Sequence, residues 1–204
     1  MSGCHDTTNS FLNKQLIERT GNSVIYLATN IPDLNLTKLL KLVYLLDELS
    51  TKERGIPFLG LNYKVWQSGP VNRDLYIDIN DGVKIFKDYF TVKQGDNSSQ
   101  IISIKDFNDD EFSDCEIALL EKLVQLFKFT SGQDLVNLTH RPSTLWYRKA
   151  KENGLLEQFN EGVANSSEVG LDLEDLLAGQ DEKIKIFKEN TEFQKTIDAL
   201  QKAK

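Results

Sequence analysis

The amino-acid sequence predicts an α+β fold: a mainly helical single domain with a central apolar helix, a small antiparallel sheet of about three strands, and a helical C-terminal extension. Three observations favour it. Residues 36–49 are apolar on nearly every side of a helix, short segments with alternating polarity follow them, and helical periodicity returns after residue 113.

The size and charge of the chain limit its class. It has 204 residues, a net charge of −7 and 40% hydrophobic residues, enough for one domain of about 150 residues plus an extension. We expect a helical lead at 1–30, a core domain at 31–154, and a linker with a helical extension at 155–204. The chain is too apolar for disorder, has no apolar run near the roughly 20 residues of a membrane span, and lacks the basic surplus of a non-specific nucleic-acid binder.

The central helix is predicted to begin after Asn35, whose side chain is a favourable N-cap. Its polar stripe is narrow, and Tyr44 falls on it between Lys41 and Glu48, so the tyrosine hydroxyl is expected to meet water or a partner. Before this helix, residues 11–31 have a helical pattern that we expect to break near Gly21.

Strand periodicity covers residues 59–66, and the turn at 68–70 is expected to lead directly into a helix with Pro70 at its first position. Segments 89–93 and 100–105 are predicted to form a β-hairpin, which we expect to join the strand at 59–66 in one sheet. Three later helices are expected to start at Ser113, Ser131 and Ser143. A Gly-, Asn- and Ser-rich linker at 160–170 then precedes helices at 171–178 and 181–201.

Cysteine and histidine are too few for a metal site: the chain holds Cys4, Cys115, His5 and His140 only, without ligand spacing. We expect Cys115 to be an unpaired, reduced thiol, with an activated thiolate at a helix start as the alternative. The first residues lack a basic region followed by an apolar one, which favours a cytoplasmic protein. No catalytic residue, cofactor or metal is expected.

Three segments carry more specific information. They are Lys38-Leu39-Leu40-Lys41-Leu42-Val43-Tyr44-Leu45, then Val65-Trp66-Gln67-Ser68-Gly69-Pro70-Val71 with Leu75-Tyr76, and Leu138-Thr139-His140 with Trp146-Tyr147. In order and spacing they resemble the Panacea domain, or SocA-like antitoxin domain, of prophage-associated and toxin–antitoxin proteins. The resemblance spans residues 36–147. The segment 141–146 departs from the family pattern, so its loop is expected to differ in shape.

The resemblance implies an interaction protein that neutralises a co-encoded toxin by direct contact, and it leaves room for a role as a proteolytic adaptor. A cognate toxin is the expected partner, membranes and nucleic acid are not, and a homo-oligomer is left open. The negative charge would steer a basic partner. The residues expected to bind the partner are Tyr44, Trp66, Gly69, Pro70, Tyr76, His140 and Trp146.

Several of these residues have a structural alternative. Trp66 is either packed at a strand end with its indole N–H on a carbonyl, or a surface anchor. Gly69 and Pro70 either simply form the turn from strand to helix, or the N-terminus of that helix also attracts an anion or a carboxylate of the partner. His140 is expected to cap a helix C-terminus, or else to share a surface patch with Trp146 and Tyr147.

Two other functions remain open at this point. Residues 131–140 and 143–153 could act as a helix-turn-helix of a DNA-binding autoregulator, although Arg148, Lys149 and Lys151 are its few basic groups. A hydrolase using His140 or Cys115 lacks a recognisable set of nucleophile, base and orienting group.

Overall fold

A computed structural model describes residues 14–95 and 99–202, so Cys4, His5 and the first residues of the predicted N-terminal helix lie outside it. The α+β prediction is confirmed: helices dominate, and two small antiparallel sheets accompany them. The elements in chain order are α1 (Lys14–Asn30), α2 (Leu36–Arg54), β1 (Tyr63–Trp66), β2 (Gly69–Val71), α3 (Arg73–Asn80), β3 (Phe90–Gln94), β4 (Ser99–Ser103), α4 (Asp114–Phe127), α5 (Gly132–Thr139), α6 (Leu145–Glu152), α7 (Leu155–Asn160), β5 (Gly170–Leu171), a 3₁₀ helix (Leu173–Leu177) and α8 (Asp181–Lys202).

Helix α2 is the centre of the domain, as predicted. The Asn35 side chain accepts a hydrogen bond from the Lys38 N–H at 2.9 Å and caps its first turn. The helix ends at Gly55, where φ is +75° and the N–H donates to the Thr51 carbonyl, the left-handed ending that glycine tolerates best. Helices α4 and α5, strand β2 and the 3₁₀ helix all pack against α2, so it is covered from several sides.

Helix α1 runs without a break through Gly21, so the predicted interruption there is wrong. A Cβ atom at this position would lie 2.3 Å from the ring of Tyr89. The glycine therefore admits a neighbouring ring to the helix backbone, and the packing gained there outweighs the low helix propensity of glycine.

The three-stranded sheet has the order β2-β1-β5, all antiparallel. A sheet of three strands matches the prediction, but only β1 is a predicted member of it. Strands β2 and β5 take the places expected for segments 89–93 and 100–105, because β3 and β4 pair in a sheet of their own. That hairpin instead packs on α1 and α2, where Phe90 and Ile101 are buried and the Ile101 N–H donates to the Leu34 carbonyl. Burial of these two apolar side chains explains the different placement.

Pro70 lies inside strand β2, so the prediction that it opens a helix is wrong. Trp66 pairs with Gly69 across a two-residue turn, which makes β1 and β2 a tight hairpin. Helix α3 begins three residues later, after Asn72, whose side chain accepts from the Leu75 N–H at 2.8 Å. The helix start is therefore set by the N-cap Asn72 and not by Pro70.

The segment after α7 returns to the sheet. The N–H groups of Val65 and Gln67 donate to the carbonyls of Val169 and Asn165, each at 2.9 Å, and the Ser167 hydroxyl donates to the Val65 carbonyl at 2.7 Å. Leu171, Leu173 and Leu177 are buried. Within residues 14–95 and 99–202, no helix is both long and apolar enough to cross a bilayer.

Candidate functional site

The three sequence segments that are far apart in the chain meet at the turn between β1 and β2. Helix α2 approaches it with Lys41, the end of α5 with Thr139 and His140, and α6 with Trp146. We call this group the motif cluster; it consists of Lys41, Trp66, Gly69, Pro70, Thr139, His140 and Trp146.

Side chains of the motif cluster bind three backbone carbonyls of the hairpin. The indole N–H of Trp146 donates to the Trp66 carbonyl at 3.0 Å. His140 Nε2 lies 2.9 Å from the Gln67 carbonyl oxygen, and the Lys41 ammonium donates to the Pro70 carbonyl at 2.8 Å. A side chain that bonds a backbone carbonyl of another element ties the two elements together. Three helices therefore fix the hairpin through its backbone carbonyls.

Gly69 is required where these elements come closest. Its φ of +103° is outside the range that other residues favour. A Cβ atom added to it would lie 2.7 Å from Thr139 Oγ1 and 3.0 Å from Lys41 Cε. The hairpin can approach α2 and α5 this closely only because residue 69 has no side chain.

Lys41 is the least expected member of the cluster. Its side chain is fully buried, with 1% of the residue exposed, and burial lowers the pKa of its amine to about 7. The sequence placed it on a polar stripe of α2, but packing by α5 and β2 closes over that stripe. The amine binds a carbonyl of its own chain and does not face solvent.

His140 caps the C-terminus of α5, which confirms the structural alternative given for it. Its Nδ1 is 2.6 Å from the Val136 carbonyl oxygen and its Nε2 faces Gln67. The ring also packs on Trp146, with centroids 3.8 Å apart. Both ring nitrogens lie within hydrogen-bond distance of backbone carbonyl oxygens, so neither is presented to a substrate as a general base.

An aromatic pair stands at the outer side of the hairpin. The half-buried rings of Trp66 and Tyr76 meet edge to face with centroids 4.9 Å apart. We call Trp66 and Tyr76 the aromatic surface; its rings are pre-ordered by one another, which lowers the entropy that a partner must overcome on binding.

The predicted partner-binding residues thus divide by burial. Trp66, Tyr76 and His140 are half-exposed, whereas Gly69 and Pro70 are buried in β2 and Trp146 is only 2% exposed. The indole N–H that bonds a carbonyl at the strand end belongs to Trp146, and the carbonyl it bonds is that of Trp66.

The prediction that the Tyr44 hydroxyl meets water is wrong, because Tyr44 is 1% exposed. Its ring packs edge to face on Tyr63 with centroids 5.1 Å apart. Burial, with the nearby carboxylate of Glu48, raises the pKa of Tyr44 well above its usual value. Helical periodicity placed Tyr44 correctly among polar neighbours, but those neighbours are themselves covered.

Two buried carboxylates were missed by the sequence reasoning. Asp47 accepts from the N–H groups of Leu59, Gly60 and Leu61 and from the Tyr63 hydroxyl. Asp78 accepts in the same way from the N–H groups of residues 84–86. Each fixes a loop whose backbone donors would otherwise be unpaired. An acidic residue inside an apolar helical segment, as at position 47, is the signal that could have found them.

Two of the three basic residues of α6, Arg148 and Lys149, are bound within the chain. Arg148 donates to the Asp175 carbonyl at 3.0 Å, and Lys149 pairs with the Asp175 carboxylate at 2.8 Å. Groups that bind an acidic segment are not available for phosphates. In the described residues no three His, Cys, Asp or Glu side chains form a group that could hold a metal ion.

The family model described as "Antitoxin SocA-like, Panacea domain" matches residues 39–147. The chain belongs to this family. The match begins in α2 and ends in α6, so it includes every residue of the motif cluster. No curated protein and no solved structure matches the chain significantly. Membership of the Panacea family supports an antitoxin-like role and suggests that this role is not enzymatic.

Proposed function

We propose that this protein neutralises a toxin, encoded beside its own gene and present in the same cytoplasm, by binding it directly. The match of residues 39–147 to the SocA-like antitoxin family carries this proposal. The geometry of the motif cluster is consistent with it, because its polar groups bind the protein's own backbone and none is arranged for bond-breaking chemistry.

The aromatic surface and the neighbouring His140 are the proposed contact region for the toxin. Tryptophan and tyrosine contribute most of the binding energy in many interfaces when a partner covers them. Trp66 and Tyr76 are accessible enough to be covered and ordered enough to lose little entropy. The surface also depends on residues that are buried. They form or pack against the β1–β2 hairpin that carries Trp66, and they are Tyr44, Gly69, Pro70 and Trp146.

Charge adds to the proposal through the rate of association. The net charge of −7 favours encounter with a basic toxin, and such steering weakens as salt concentration rises.

Co-expression tests the proposal directly. The product of the adjacent gene should arrest growth when expressed alone, and co-expression of this protein should restore growth and allow the two to co-purify. A harmless neighbour that fails to co-purify would remove the basis of the proposal.

A pair of variants separates the contact region from the fold. Trp66→Ala should weaken toxin binding by about tenfold or more, as expected for a central aromatic contact. Phe129→Ala removes another aromatic ring, which lies two residues after α4 and is 88% exposed, and should leave binding unchanged. Equal binding by both variants would place the interface elsewhere.

The finer question is whether neutralisation involves proteolysis. An adaptor shortens the lifetime of the toxin in cells, whereas a stoichiometric inhibitor does not. The toxin half-life, measured with and without this protein after synthesis is stopped, distinguishes the two.

A further inference from the structure

Helix α8 carries an apolar stripe that the domain does not cover. Ile186, Phe193 and Leu200 recur every seven residues and are 39%, 61% and 60% exposed. Seven residues are close to two helical turns, so these side chains lie along one side of the helix over about 21 Å. We call them the α8 stripe. Soluble monomers seldom leave an ordered row of large apolar side chains in water without a use for it.

The stripe is not the side by which α8 is attached. Phe187 packs against the core, and Lys183 and Lys188 reach the Lys52 carbonyl and the Glu174 carboxylate respectively. One residue corresponds to about 100° of rotation, so Phe187 points well away from Ile186. The attached side and the stripe are therefore separate surfaces of the same helix.

A shallow cleft lies beside the stripe. It has a volume of about 330 Å³ and runs between the start of α1, residues 56–60 and α8, which contributes Asn190 and Gln194. Asn190 is four residues after Ile186 and three before Phe193, the spacing of side-by-side neighbours on a helix. A ligand seated on the stripe can thus extend into this cleft.

Acidic residues border the other side of the stripe. Glu182 precedes Ile186 by one turn, and Glu189 lies between Ile186 and Phe193 on that side. In the part of the chain that the structure describes, Glu189 forms an exposed pair with Lys185 at 3.8 Å. Exposed pairs of this kind are weak and exchange readily for a better-placed cation.

We propose that the α8 stripe is a second docking surface, and that its occupant is an amphipathic helix of the partner whose apolar side is flanked by Lys or Arg. This assignment rests on the proposed function for the identity of the partner. The apolar row would bind the apolar side of that helix, and Glu182 and Glu189 would select its basic flank.

A second copy of this chain lacks the required basic flank. In an antiparallel pair of α8 helices the acidic side would face the same side of the other copy, where Thr196 continues the row of Glu182 and Glu189 at seven-residue steps. In a parallel pair it would face the side of Asn190 and Gln194, which are uncharged. A partner helix with Lys or Arg on its flank is therefore the better match.

The test uses two synthetic three-heptad peptides that share leucine at the core positions. One has Lys at the flanking positions and the other has Glu. Their affinity for the full-length protein is measured by fluorescence anisotropy. We expect the Lys peptide to bind about tenfold or more tightly than the Glu peptide, the difference expected when opposed charges replace like charges.

Three variants locate the binding. Replacing the α8 stripe (Ile186→Ser, Phe193→Ser, Leu200→Ser) should lower the affinity for the Lys peptide by about tenfold or more. If the triple variant folds poorly, Phe193→Ser alone should also lower this affinity. A matched triple variant of other exposed apolar residues (Leu126→Ser, Phe129→Ser, Val163→Ser) should bind like the wild type. Glu182→Gln with Glu189→Gln should reduce the preference for Lys over Glu.

The outcomes are distinct. Equal affinity for both peptides, or undiminished binding by the stripe variant, would overturn the proposal. So would a dimer of the wild-type protein, seen by light scattering, that the stripe variant abolishes, because the occupant would then be a second copy. If the wild-type protein rescues growth and the stripe variant does so equally well, the inference fails while the proposed function stands. If the wild type binds no toxin but prefers the Lys peptide through α8, the proposed function fails and the docking surface remains.

Discussion

Replacing Gly69 by alanine tests whether the motif cluster is as tightly closed as the distances indicate. The positive φ makes any side chain at this position cost about 1–2 kcal/mol, and restriction of the unfolded chain returns about 0.4–1 kcal/mol. The added Cβ would also meet Thr139 Oγ1 at 2.7 Å and Lys41 Cε at 3.0 Å, and overpacking of this kind costs a further 1–3 kcal/mol, roughly. We expect Gly69→Ala to lower the free energy of unfolding by about 1–5 kcal/mol in total.

Gly82 provides the matched control. Its φ is +95°, yet an added Cβ would have no neighbour within 4 Å, so Gly82→Ala carries the backbone strain without the overlap. Urea unfolding of both variants should show Gly69→Ala to be less stable by about 1–3 kcal/mol, at an unchanged m-value. Adding Thr139→Ala removes the closest overlapping atom and should recover part of the Gly69→Ala loss. Equal losses at positions 69 and 82 would refute the reasoning, since the hairpin would then be free to move away from α2 and α5.

Three further changes probe buried polar groups. Burial lowers the pKa of Lys41 to about 7 in the folded protein, against about 10.5 in the unfolded chain. Between these two pH values the folded state binds fewer protons than the unfolded state. The free energy of unfolding should therefore rise with pH, by up to about 1.4 kcal/mol per pH unit. Lys41→Met should remove most of that slope in urea titrations at pH 7, 8 and 9, and an unchanged slope would assign the effect to another group. Asp47→Asn replaces a carboxylate that only accepts by an amide whose NH₂ group must donate, at a place where four donors converge. The substitution should lower the free energy of unfolding by about 3 kcal/mol or more. A loss below about 1 kcal/mol would mean that the loop rearranges at little cost. Trp146→Phe leaves the Trp66 carbonyl without its donor and should cost about 1–3 kcal/mol by thermal unfolding, and a smaller loss would show that water replaces the indole.

Local signals in the sequence were enough to place most helices. Asn35, Ser113 and Ser131 all stand where the structure has N-caps, because capping depends on a side chain and the backbone two or three residues ahead of it. The antitoxin family was also recognisable, since its motifs keep their order along the chain.

What could not be predicted depends on contacts between distant residues. Gly21 looks like a helix breaker until Tyr89 is seen to fill the space beside it. Tyr44 and Lys41 look accessible until α5 and the sheet cover them. The third strand of the main sheet, Gly170–Leu171, is too short to have a strand pattern, and only its hydrogen bonds to β1 identify it. The domain boundaries and the partner-binding residues stay predictions.

The late arrival of β5 has a consequence for how the protein is made. The Val65 carbonyl accepts a hydrogen bond from Ser167, which is 102 positions further along the chain. During synthesis, the edge of β1 that faces β5 therefore exists before the segment that pairs with it. An unpaired strand edge is a template for association with other chains. A chain cut after Gly154 would keep that edge and lose the buried leucines at 171, 173 and 177. We therefore expect this edge of β1 to stay unpaired in a nascent chain, and prone to association, until residues 165–171 have been translated.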